Sequence, residues 1–435
     1  MATLRTTVGA VSTTTASVVP VFLLGGLAVQ IGDELGFSPA GLGIAVAVYF
    51  GVSALTSVPA GALVERYGPA VTARAAIGLS AASMLAIAVA ARSYPVLVVL
   101  LATGAAANGL GQLASNASLA GVSPARQGLS FGIKQAAIPA ATLLAGASVP
   151  AVALTLGWRW AFVMTAIAAL AALSLVPAVP PAPARPARAP AGDRATKPTA
   201  SLPSATLASR SGISVLNRSD ALTALIVVGA AVALGAAAAG SLGTFLVDSA
   251  VGRGLAPGLA GLTLTLGSVA CIAGRVGGGW LVDRRGARGD VTTVAVLLTV
   301  GAAGLALLAV PGPLALAAGV LLGFGFGWAF PGLVNVAVVQ LHPQAPAAAT
   351  SITQTGVYAG GCVGPLAFGA TAAARGYPTA WLGAAGAMLV AAGLILLGRR
   401  LLHAHRRLMG GGGAPQRGAG GESMSNPAGQ ARRTR

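Results

Sequence analysis

The stretch Gly61-Ala-Leu-Val-Glu65-Arg66-Tyr-Gly68 recurs with identical spacing as Gly279-Trp-Leu-Val-Asp283-Arg284-Arg-Gly286. The first glycine of such a stretch lets a neighbouring helix approach, and the last glycine permits a tight turn. The carboxylate between them can pair with a nearby arginine or cap the N-terminus of an adjacent helix. The pattern predicts two equivalent loops between helices, one in each half of the chain.

The two stretches belong to a longer internal repeat, whose landmarks are separated by 218 residues and, after one insertion, by 219 residues. At the first separation the pairs are Pro39 and Pro257, Gly43 and Gly261, Gly61 and Gly279, Arg66 and Arg284, and Gly68 and Gly286. At the second they are Gly104 and Gly323, Asn116 and Asn335, Pro124 and Pro343, Gln135 and Gln354, and Gly157 and Gly376. Polar and proline residues that keep one register over most of each half indicate a duplication.

The composition argues against a water-soluble protein of one or two domains. Of the 435 residues, 55% are hydrophobic and 8% are charged, and the mean hydropathy is +0.81. Apolar stretches of about 20 residues, long enough to cross a bilayer, recur along the chain. We predict spans 1 to 12 at 14–33, 41–62, 71–91, 95–121, 129–156, 158–177, 221–247, 257–281, 291–310, 314–340, 347–373 and 379–399. The predicted fold is an all-α membrane protein whose twelve transmembrane helices form two pseudo-symmetric six-helix bundles of the same orientation.

The net charge of +18 could indicate a nucleic-acid partner, but its distribution favours a membrane protein. Basic residues are concentrated in the connections expected on one side of the membrane. Placing both termini in the cytoplasm leaves four basic residues on the outer side: Arg92, Arg159, Arg253 and Arg375. We therefore predict a multi-pass protein of the plasma membrane with both termini cytoplasmic and no nucleic-acid partner.

Composition divides the chain into four segments. Residues 1–177 are predicted to form the N-terminal six-helix bundle and 221–400 the C-terminal one. Between them, 178–220 is rich in proline, alanine and arginine, which predicts an extended, solvated cytoplasmic linker. After the last span, 401–435 contains a run of glycines and several arginines, which predicts a mostly disordered basic tail in the cytoplasm.

Twelve spans, a long central linker and a doubled G-x-x-x-[DE]-R-x-G loop resemble the major facilitator superfamily over roughly residues 10–400. The resemblance implies that the first, fourth, seventh and tenth spans line a central cavity. It also implies that the second, fifth, eighth and eleventh spans form much of the contact between the halves. In that family the doubled loop is a conformational latch, here Gly61, Glu65, Arg66, Gly68, Gly279, Asp283, Arg284 and Gly286. Glu65 departs from the usual aspartate and adds a methylene to the charged side chain.

Span 4 has a polar stripe at membrane depth. Three residues recur every four positions and share one face of the helix: Asn108, Gln112 and Asn116. In span 10 the equivalent positions are Gly327, Pro331 and Asn335, and proline with glycine predicts a bend in that helix. The asparagines and the glutamine either line a cavity and hydrogen-bond a substrate, or join helices to one another at about 0.6–2 kcal/mol per contact.

Lys134 lies within span 5, where a cation costs at least about 2.5–3.5 kcal/mol at the membrane centre unless it finds water, a partner or the surface. Gln135 lies beside it, and the matching part of span 11 contains Gln354, Thr355 and Tyr358. These five residues predict a polar cluster at the interface between the halves. Lys134 either attracts an anionic substrate, such as a small carboxylate, or snorkels to the cytoplasmic surface.

Three further charges lie near or within the spans. Arg275, at the position of Ser57 in the first half, is predicted to snorkel toward the loop at Asp283 rather than to bind substrate. A proton-coupled carrier places an acid where it alternately meets substrate and water. Asp33 and Glu34 lie near the outer end of span 1, so they are either proton-coupling residues or ordinary outer-loop acids.

Two parallel six-span repeats create an interface through the membrane, and rocking one half against the other opens a site there to alternate sides. We therefore predict a secondary active transporter that moves a small solute, either an organic anion or a neutral molecule, by this rocker-switch mechanism. It would act as a monomer in the lipid bilayer, without cofactor or metal, and a proton is a candidate coupling partner. The alternative within transport is efflux of hydrophobic or cationic drugs, which a mid-membrane acid would favour.

A membrane receptor or sensor, or a membrane-embedded enzyme, is the alternative of another class. The three histidines lie outside the predicted membrane core, and the sequence has no paired buried carboxylates and no metal-ligand spacing. These features disfavour an enzyme.

Overall fold

The computed structural model describes residues 2–119, 127–177, 219–284, 291–334 and 346–410, which form helices and turns without a strand. The helices of the N-terminal half are Ala2–Gly26, Ala28–Leu35, Pro39–Tyr67, Pro69–Ala90, Tyr94–Leu119, Gln127–Gln135, Ala137–Ser148 and Trp158–Ala171. Those of the C-terminal half are Ser219–Val251, Pro257–Arg284, Val291–Leu307, Pro313–Leu322, Pro346–Arg375 and Tyr377–Gly410.

The helices fit a polytopic membrane protein. Within the described residues, 11 helices are long and apolar enough to cross a bilayer. The ninth predicted span is the helix Val291–Leu307, which has 17 residues. The predicted all-α membrane fold with twelve spans is confirmed. Nearly all of the predicted linker, 178–218, lies outside the described residues.

The predicted boundary of the C-terminal tail needs correction. The last helix continues to Gly410, so residues 401–410 are helical rather than disordered. Leucine, arginine, alanine and methionine are good helix formers, and neither proline nor glycine interrupts this segment before its end. The remainder of the predicted tail, 411–435, lies outside the described residues.

Spans 5 and 10 each contain a wide helical turn. In span 5 the turn is Val149–Ala153, where Pro150 has no N–H to donate to the regular ladder. In span 10 it is Gly323–Gly327, and the Trp328 N–H donates to the carbonyl oxygen of Gly323 at 3.0 Å. The regular helix of span 10 is interrupted at Trp328, close to Gly327 and Pro331, where the sequence predicts a bend.

The turns at one end of the bundle repeat between the halves. Gly36 and Gly254 have φ angles of +70° and +90°, and Gly157 and Gly376 have φ angles of +96° and +84°. Glycine adopts these left-handed values without the steric penalty of a Cβ atom. We call this end, opposite the N-terminus of span 1, the distal end, and the other the proximal end. The sequence predicts that the distal end is extracellular.

Three pairs of spans hold the two halves together: span 2 with span 11, span 5 with span 8, and span 1 with span 7. The first two pairs are those that the family resemblance implied. Between spans 5 and 8, a Cβ atom on Gly146 would lie 2.6 Å from the carbonyl oxygen of Gly261. Between spans 1 and 7, a Cβ atom on Gly25 would lie 2.7 Å from that of Gly243. Glycine permits these close backbone approaches.

Burial along spans 1 and 7 is uneven. Toward the distal end, residues 16–28 of span 1 and 241–247 of span 7 are buried without interruption. Toward the proximal end, residues 5–12 and 226–237 include exposed and partly exposed positions. The halves are therefore closed against each other at the distal end and packed more loosely at the proximal end.

Candidate functional site

A series of hydrogen bonds joins spans 5, 4 and 2 inside the N-terminal half. Lys134 Nζ donates to Gln112 Oε1 at 2.7 Å, and Gln112 Nε2 donates to Asn108 Oδ1 at 3.4 Å. Asn108 Nδ2 then donates to Ser53 Oγ at 3.1 Å. Lys134 is 5% exposed, Asn108 1% and Ser53 0%. We call these four residues the polar chain.

Ser53 fixes the direction of the polar chain. Its hydroxyl lies 2.9 Å from the carbonyl oxygen of Tyr49 and 3.0 Å from that of Ala105, so it donates to the backbone and accepts from Asn108. The Asn108 amide is thereby oriented with its oxygen toward Gln112, which donates to it through nitrogen. Gln112 consequently turns its own oxygen toward the ammonium of Lys134. Each hydrogen bond sets the orientation of the next.

The ammonium of Lys134 has no carboxylate partner in the described part of the chain. The ion pair formed there is Arg159 with Glu34, at 2.7 Å near the distal end. A lysine has three N–H donors, and within the described ranges Lys134 donates to the neutral amide of Gln112. The side chain points into the protein, so the structure does not support snorkelling.

Arg275 is a second buried cation, 3% exposed. Its Nε and Nη2 atoms donate to the carbonyl oxygen of Trp328 at 3.0 and 2.7 Å, and Nη1 donates to that of Gln135 at 2.5 Å. Trp328 lies at the interruption of span 10, where carbonyl groups lose their helical N–H partners. The prediction that Arg275 snorkels is wrong, because these carbonyl groups provide partners inside the protein.

The two cations share one region at the interface between the halves. Arg275 of span 8 binds the carbonyl group of Gln135, the residue next to Lys134, and the two positive charges repel one another. Arg275 also lies with its guanidinium carbon 5.8 Å from the ring centre of Trp328. The region therefore combines a positive potential with neutral hydrogen-bonding partners.

The predicted polar residues of span 11 form a separate contact. Tyr358 is 8% exposed, and its hydroxyl interacts with the side chains of Ser57 and Gln354. This contact joins span 11 to span 2 across the two halves. Thr355 is exposed, and Gln135 is partly buried. The structure therefore divides the predicted cluster between Lys134 with Gln135 and the contact around Tyr358.

The polar stripe of span 4 is only partly enclosed. Asn108 is buried and Gln112 is partly buried, whereas Asn116 is exposed near the proximal end. Asn116 does not belong to the polar chain, because span 4 becomes less covered as it approaches the proximal end. Asn335, the equivalent residue in span 10, lies outside the described residues.

The doubled loop is described fully only in the first half. Gly68 has a φ angle of +81°, as expected for a tight turn. Glu65 and Arg66 are both exposed, and neither forms an ion pair with another described residue. A Cβ atom on Gly61 would have no atom within 4 Å, so no helix approaches closely there. The role expected for the first glycine is therefore not fulfilled at Gly61 in this conformation.

In the second loop, Gly279 does have the expected close neighbour. A Cβ atom on Gly132 of span 5 would lie 3.5 Å from the Cα atom of Gly279, which is buried. Arg284 is exposed and lies over the ring of Trp280 at 4.9 Å. The side chain of Asp283 and the whole of Gly286 lie outside the described residues.

The two acids considered for proton coupling lie at the distal end. Glu34 accepts from Arg159 Nη1 and from Trp158 Nε1, both at 2.7 Å. The hydrogen bond from Arg159, followed by that from Trp158, lowers the pKa of Glu34. Asp33 is exposed. An arginine that holds Glu34 ionised makes this residue poorly suited to binding and releasing a proton.

Comparison with known protein families identifies the fold. The sequence model of the Major Facilitator Superfamily matches residues 8–365. The chain belongs to the Major Facilitator Superfamily. Its fold is similar to that of a bacterial homolog of the human lysosomal transporter Spinster, crystallised in an inward-facing and unoccupied conformation. The TM-score is 0.65 at 13% identity, and the match covers 95% of this chain and 99% of the other. Comparison with curated protein sequences gives no match.

As a major facilitator, the protein is a multi-pass membrane transporter. Two groups in its buried polar region were not identified from the sequence. Ser53 is one serine in an apolar span and carries no pattern that sets it apart. The carbonyl group of Trp328 carries no side-chain signal, although the bend predicted for span 10 indicated where carbonyl groups would become available.

Proposed function

We propose that this major facilitator is a secondary active transporter of a small organic anion. The observation that supports the proposal is the ammonium of Lys134, which is 5% exposed and is bound by the neutral amide of Gln112. A carboxylate on the substrate would supply a counter-charge that the described residues do not. A charge-assisted hydrogen bond of this kind contributes about 1.5–3 kcal/mol.

The two cations of the region have different roles in this proposal. Arg275 donates three hydrogen bonds to the backbone carbonyl groups of Trp328 and Gln135, so we assign it to holding spans 5, 8 and 10 together. Lys134 has N–H groups left for a substrate. Two buried positive charges would repel an organic cation, which argues against the efflux of cationic drugs as the main function.

Alternating access is supported by the uneven packing of the two halves. The distal end is closed by continuous burial of residues 16–28 and 241–247, while the proximal ends of the same spans are less covered. With both termini in the cytoplasm of a plasma-membrane protein, this would be an inward-facing conformation. Rocking the six-span halves as rigid bodies about the interface would open the distal end in its turn. We propose that the monomer is the transporting unit.

The substrate class can be tested by the thermal stability of the purified full-length protein. A ligand that binds the folded state raises its melting temperature. We would compare pyruvate, succinate and citrate with the organic cations tetraphenylphosphonium and ethidium. The proposal predicts stabilisation by at least one carboxylate and by neither cation.

Two variants at one position provide the matched control. Lys134→Arg keeps the positive charge and should retain part of the stabilisation, whereas Lys134→Gln removes the charge and should abolish it. Stabilisation by the organic cations alone, or an equal carboxylate response in wild type and Lys134→Gln, would contradict the anion assignment.

A further inference from the structure

The distal end contains an acid–aromatic pair in each half, although the two acids do not occupy equivalent positions of the repeat. In the N-terminal half, Trp158 at the start of span 6 donates to Glu34 at the end of span 1, at 2.7 Å. In the C-terminal half, Tyr377 at the start of span 12 donates through its hydroxyl to Asp248 near the end of span 7. Trp158 and Tyr377 are equivalent at the repeat separation of 219 residues. Each pair fastens the first span of its half to the sixth.

The two pairs differ in charge balance. Glu34 is also bound by the guanidinium of Arg159, whereas Asp248 forms no ion pair with a described residue. The nearest basic residue along the chain, Arg253, donates instead to the carbonyl oxygen of Val310 at 3.2 Å. Glu34 would lose its ion pair on protonation. Asp248 has no such partner to lose.

The groups around Asp248 suit a carboxyl that changes its protonation state. Tyr377 of span 12 donates to the ionised carboxylate, and a hydroxyl oxygen can equally accept from a protonated carboxyl. The hydrogen bond can therefore persist in both states. The neighbouring Ser249 hydroxyl is occupied by Trp381 Nε1 at 2.9 Å. Among the described residues, the charged side chain that acts on Asp248 is Asp33 of span 1, and its negative charge repels a negative charge on Asp248.

The position of Asp248 links its charge to the conformation of the transporter. It is a partly exposed residue in a stretch of span 7, residues 241–250, that is otherwise buried where the halves close at the distal end. Asp33 belongs to the opposite half. Ionised carboxylates of Asp33 and Asp248, one in each half, repel one another and favour opening of the distal end, and protonation of Asp248 removes the repulsion.

We propose that Asp248 is the proton-binding residue of this transporter and that its protonation favours closure of the distal end. A proton from water at the distal end binds a carboxylate oxygen of Asp248, and the resulting hydroxyl donates to Tyr377. Tyr377 is a positioning residue in this step. The inference rests on the proposed function only in assuming alternating access, since it does not depend on which substrate is carried.

The experiment measures the distance across the distal end as the pH changes, without substrate. Spin labels are placed at Ser93→Cys and Leu314→Cys of the full-length protein in lipid nanodiscs, because both residues are exposed and lie in different halves. Cys362 is replaced by alanine, and Cys271, which is 0% exposed, is left in place. Acidification should shift the wild-type distance distribution toward the shorter, closed population.

Asp248→Asn should lose this shift and remain in the closed population at every pH. Glu34→Gln should keep the shift, since its ion pair is assigned no proton-binding role. A wild-type response retained in Asp248→Asn, a response lost in Glu34→Gln, or no response in the wild type would each overturn the proposal.

Tyr377→Phe provides a second test that keeps the carboxylate. It should keep the shift but with a displaced midpoint, and an unchanged midpoint would overturn the positioning role. If Asp248→Asn does not fold, infrared difference spectra of the wild type and of Tyr377→Phe are compared across the same pH range. The protonated-carboxyl band should move in frequency in this variant, and an unmoved band would contradict the assignment. Because no substrate is present, failure of the organic-anion assignment would leave these outcomes unaffected.

Discussion

The two halves of this major facilitator share one scaffold but build different chemistry on it. The N-terminal half places the polar chain Lys134–Gln112–Asn108–Ser53 across spans 5, 4 and 2. At the equivalent positions, in the same order, the C-terminal half has Thr353, Pro331, Gly327 and Cys271. The two amides of span 4 are thus replaced by Pro331 and Gly327 of span 10, close to the interruption of that helix. The polar chain belongs to the N-terminal half, and the interruption of span 10 provides the Trp328 carbonyl group in the C-terminal half.

Among the described residues, each half also has one buried cation, but not at equivalent positions. Lys134 corresponds to Thr353, and Arg275 corresponds to Ser57. Arg275 is satisfied by the carbonyl groups of Trp328 and Gln135, whereas Lys134 is bound by a neutral side chain. The two halves thus share their packing through duplication, and the proposed binding region lies where the repeats have diverged. We therefore expect opposite effects when the two cations are removed.

The largest effect is expected at Arg275. Arg275→Met should lower the free energy of unfolding by about 2–6 kcal/mol, because two buried carbonyl groups lose their donors at about 1–3 kcal/mol each. Thermal unfolding in detergent measures this as a lower melting temperature. The matched control is Arg284→Met, which removes an exposed arginine and should change stability by no more than about 0.5 kcal/mol. Equal melting temperatures for the two variants would contradict the structural role of Arg275.

Removal of the other cation should have the opposite sign for stability. Lys134→Met replaces a buried charge with an apolar side chain of similar length and should raise the free energy of unfolding by about 1–3 kcal/mol. The same variant should bind a carboxylate about 10- to 100-fold more weakly, because a charge-assisted hydrogen bond is lost. Melting curves with and without ligand measure both effects. A destabilised Lys134→Met protein would indicate that the lysine is a structural residue like Arg275.

The contact between the halves at the distal end can be disturbed by one methyl group. In Gly25→Ala the added Cβ would meet the backbone of Gly243 and Thr244, neither of which can move without parting spans 1 and 7. Overpacking of this kind costs about 1–3 kcal/mol and should shift the distance between labels at Ser93 and Leu314 toward the open population. Gly78→Ala is the control, since a Cβ there has no atom within 4 Å. A closed population unchanged in Gly25→Ala would contradict the proposed closure.

The smallest effect is expected from loss of the ion pair between Glu34 and Arg159. Because Arg159 lowers the pKa of Glu34 in the folded protein, the pair stabilises the fold above the pKa of an unperturbed glutamate, and this contribution is lost as the pH falls through the lowered value. The Glu34 side chain is 44% exposed, so screening limits the contribution to about 0–1 kcal/mol. Glu34→Gln should remove this part of the acid sensitivity below about pH 4. Melting temperatures of both proteins across that range provide the measurement, and parallel curves would exclude a stabilising ion pair.

Much of the architecture could be predicted from the sequence because the membrane imposes simple rules. Apolar stretches of sufficient length and repeated landmarks gave the twelve spans and their division into two sets of six. Regular spacing also placed Asn108 and Gln112 on one face, and Gly327 with Pro331 indicated the interruption of span 10. These features depend on periodicity or on single residues with strong backbone preferences.

The parts that could not be predicted depend on tertiary contacts. Spacing put Asn116 on the same helix face as Asn108 but could not indicate that the proximal end leaves it exposed. From the sequence, Arg275 was predicted to snorkel because it is a cation in an apolar span. Its actual partners, backbone carbonyl groups such as that of Trp328, have no signature in the sequence. Likewise, nothing in an apolar span distinguished Ser53 from the serines that only bind their own helix.

We propose that Lys134 provides the positive charge that an organic anion meets between the two halves. Uptake by proteoliposomes tests this role directly, with the carboxylate that stabilises the protein most and with wild type, Lys134→Arg and Lys134→Gln compared. We expect saturable uptake by the wild type, partial uptake by Lys134→Arg and none above empty liposomes for Lys134→Gln. Uptake by Lys134→Gln with the rate and affinity of the wild type would contradict it.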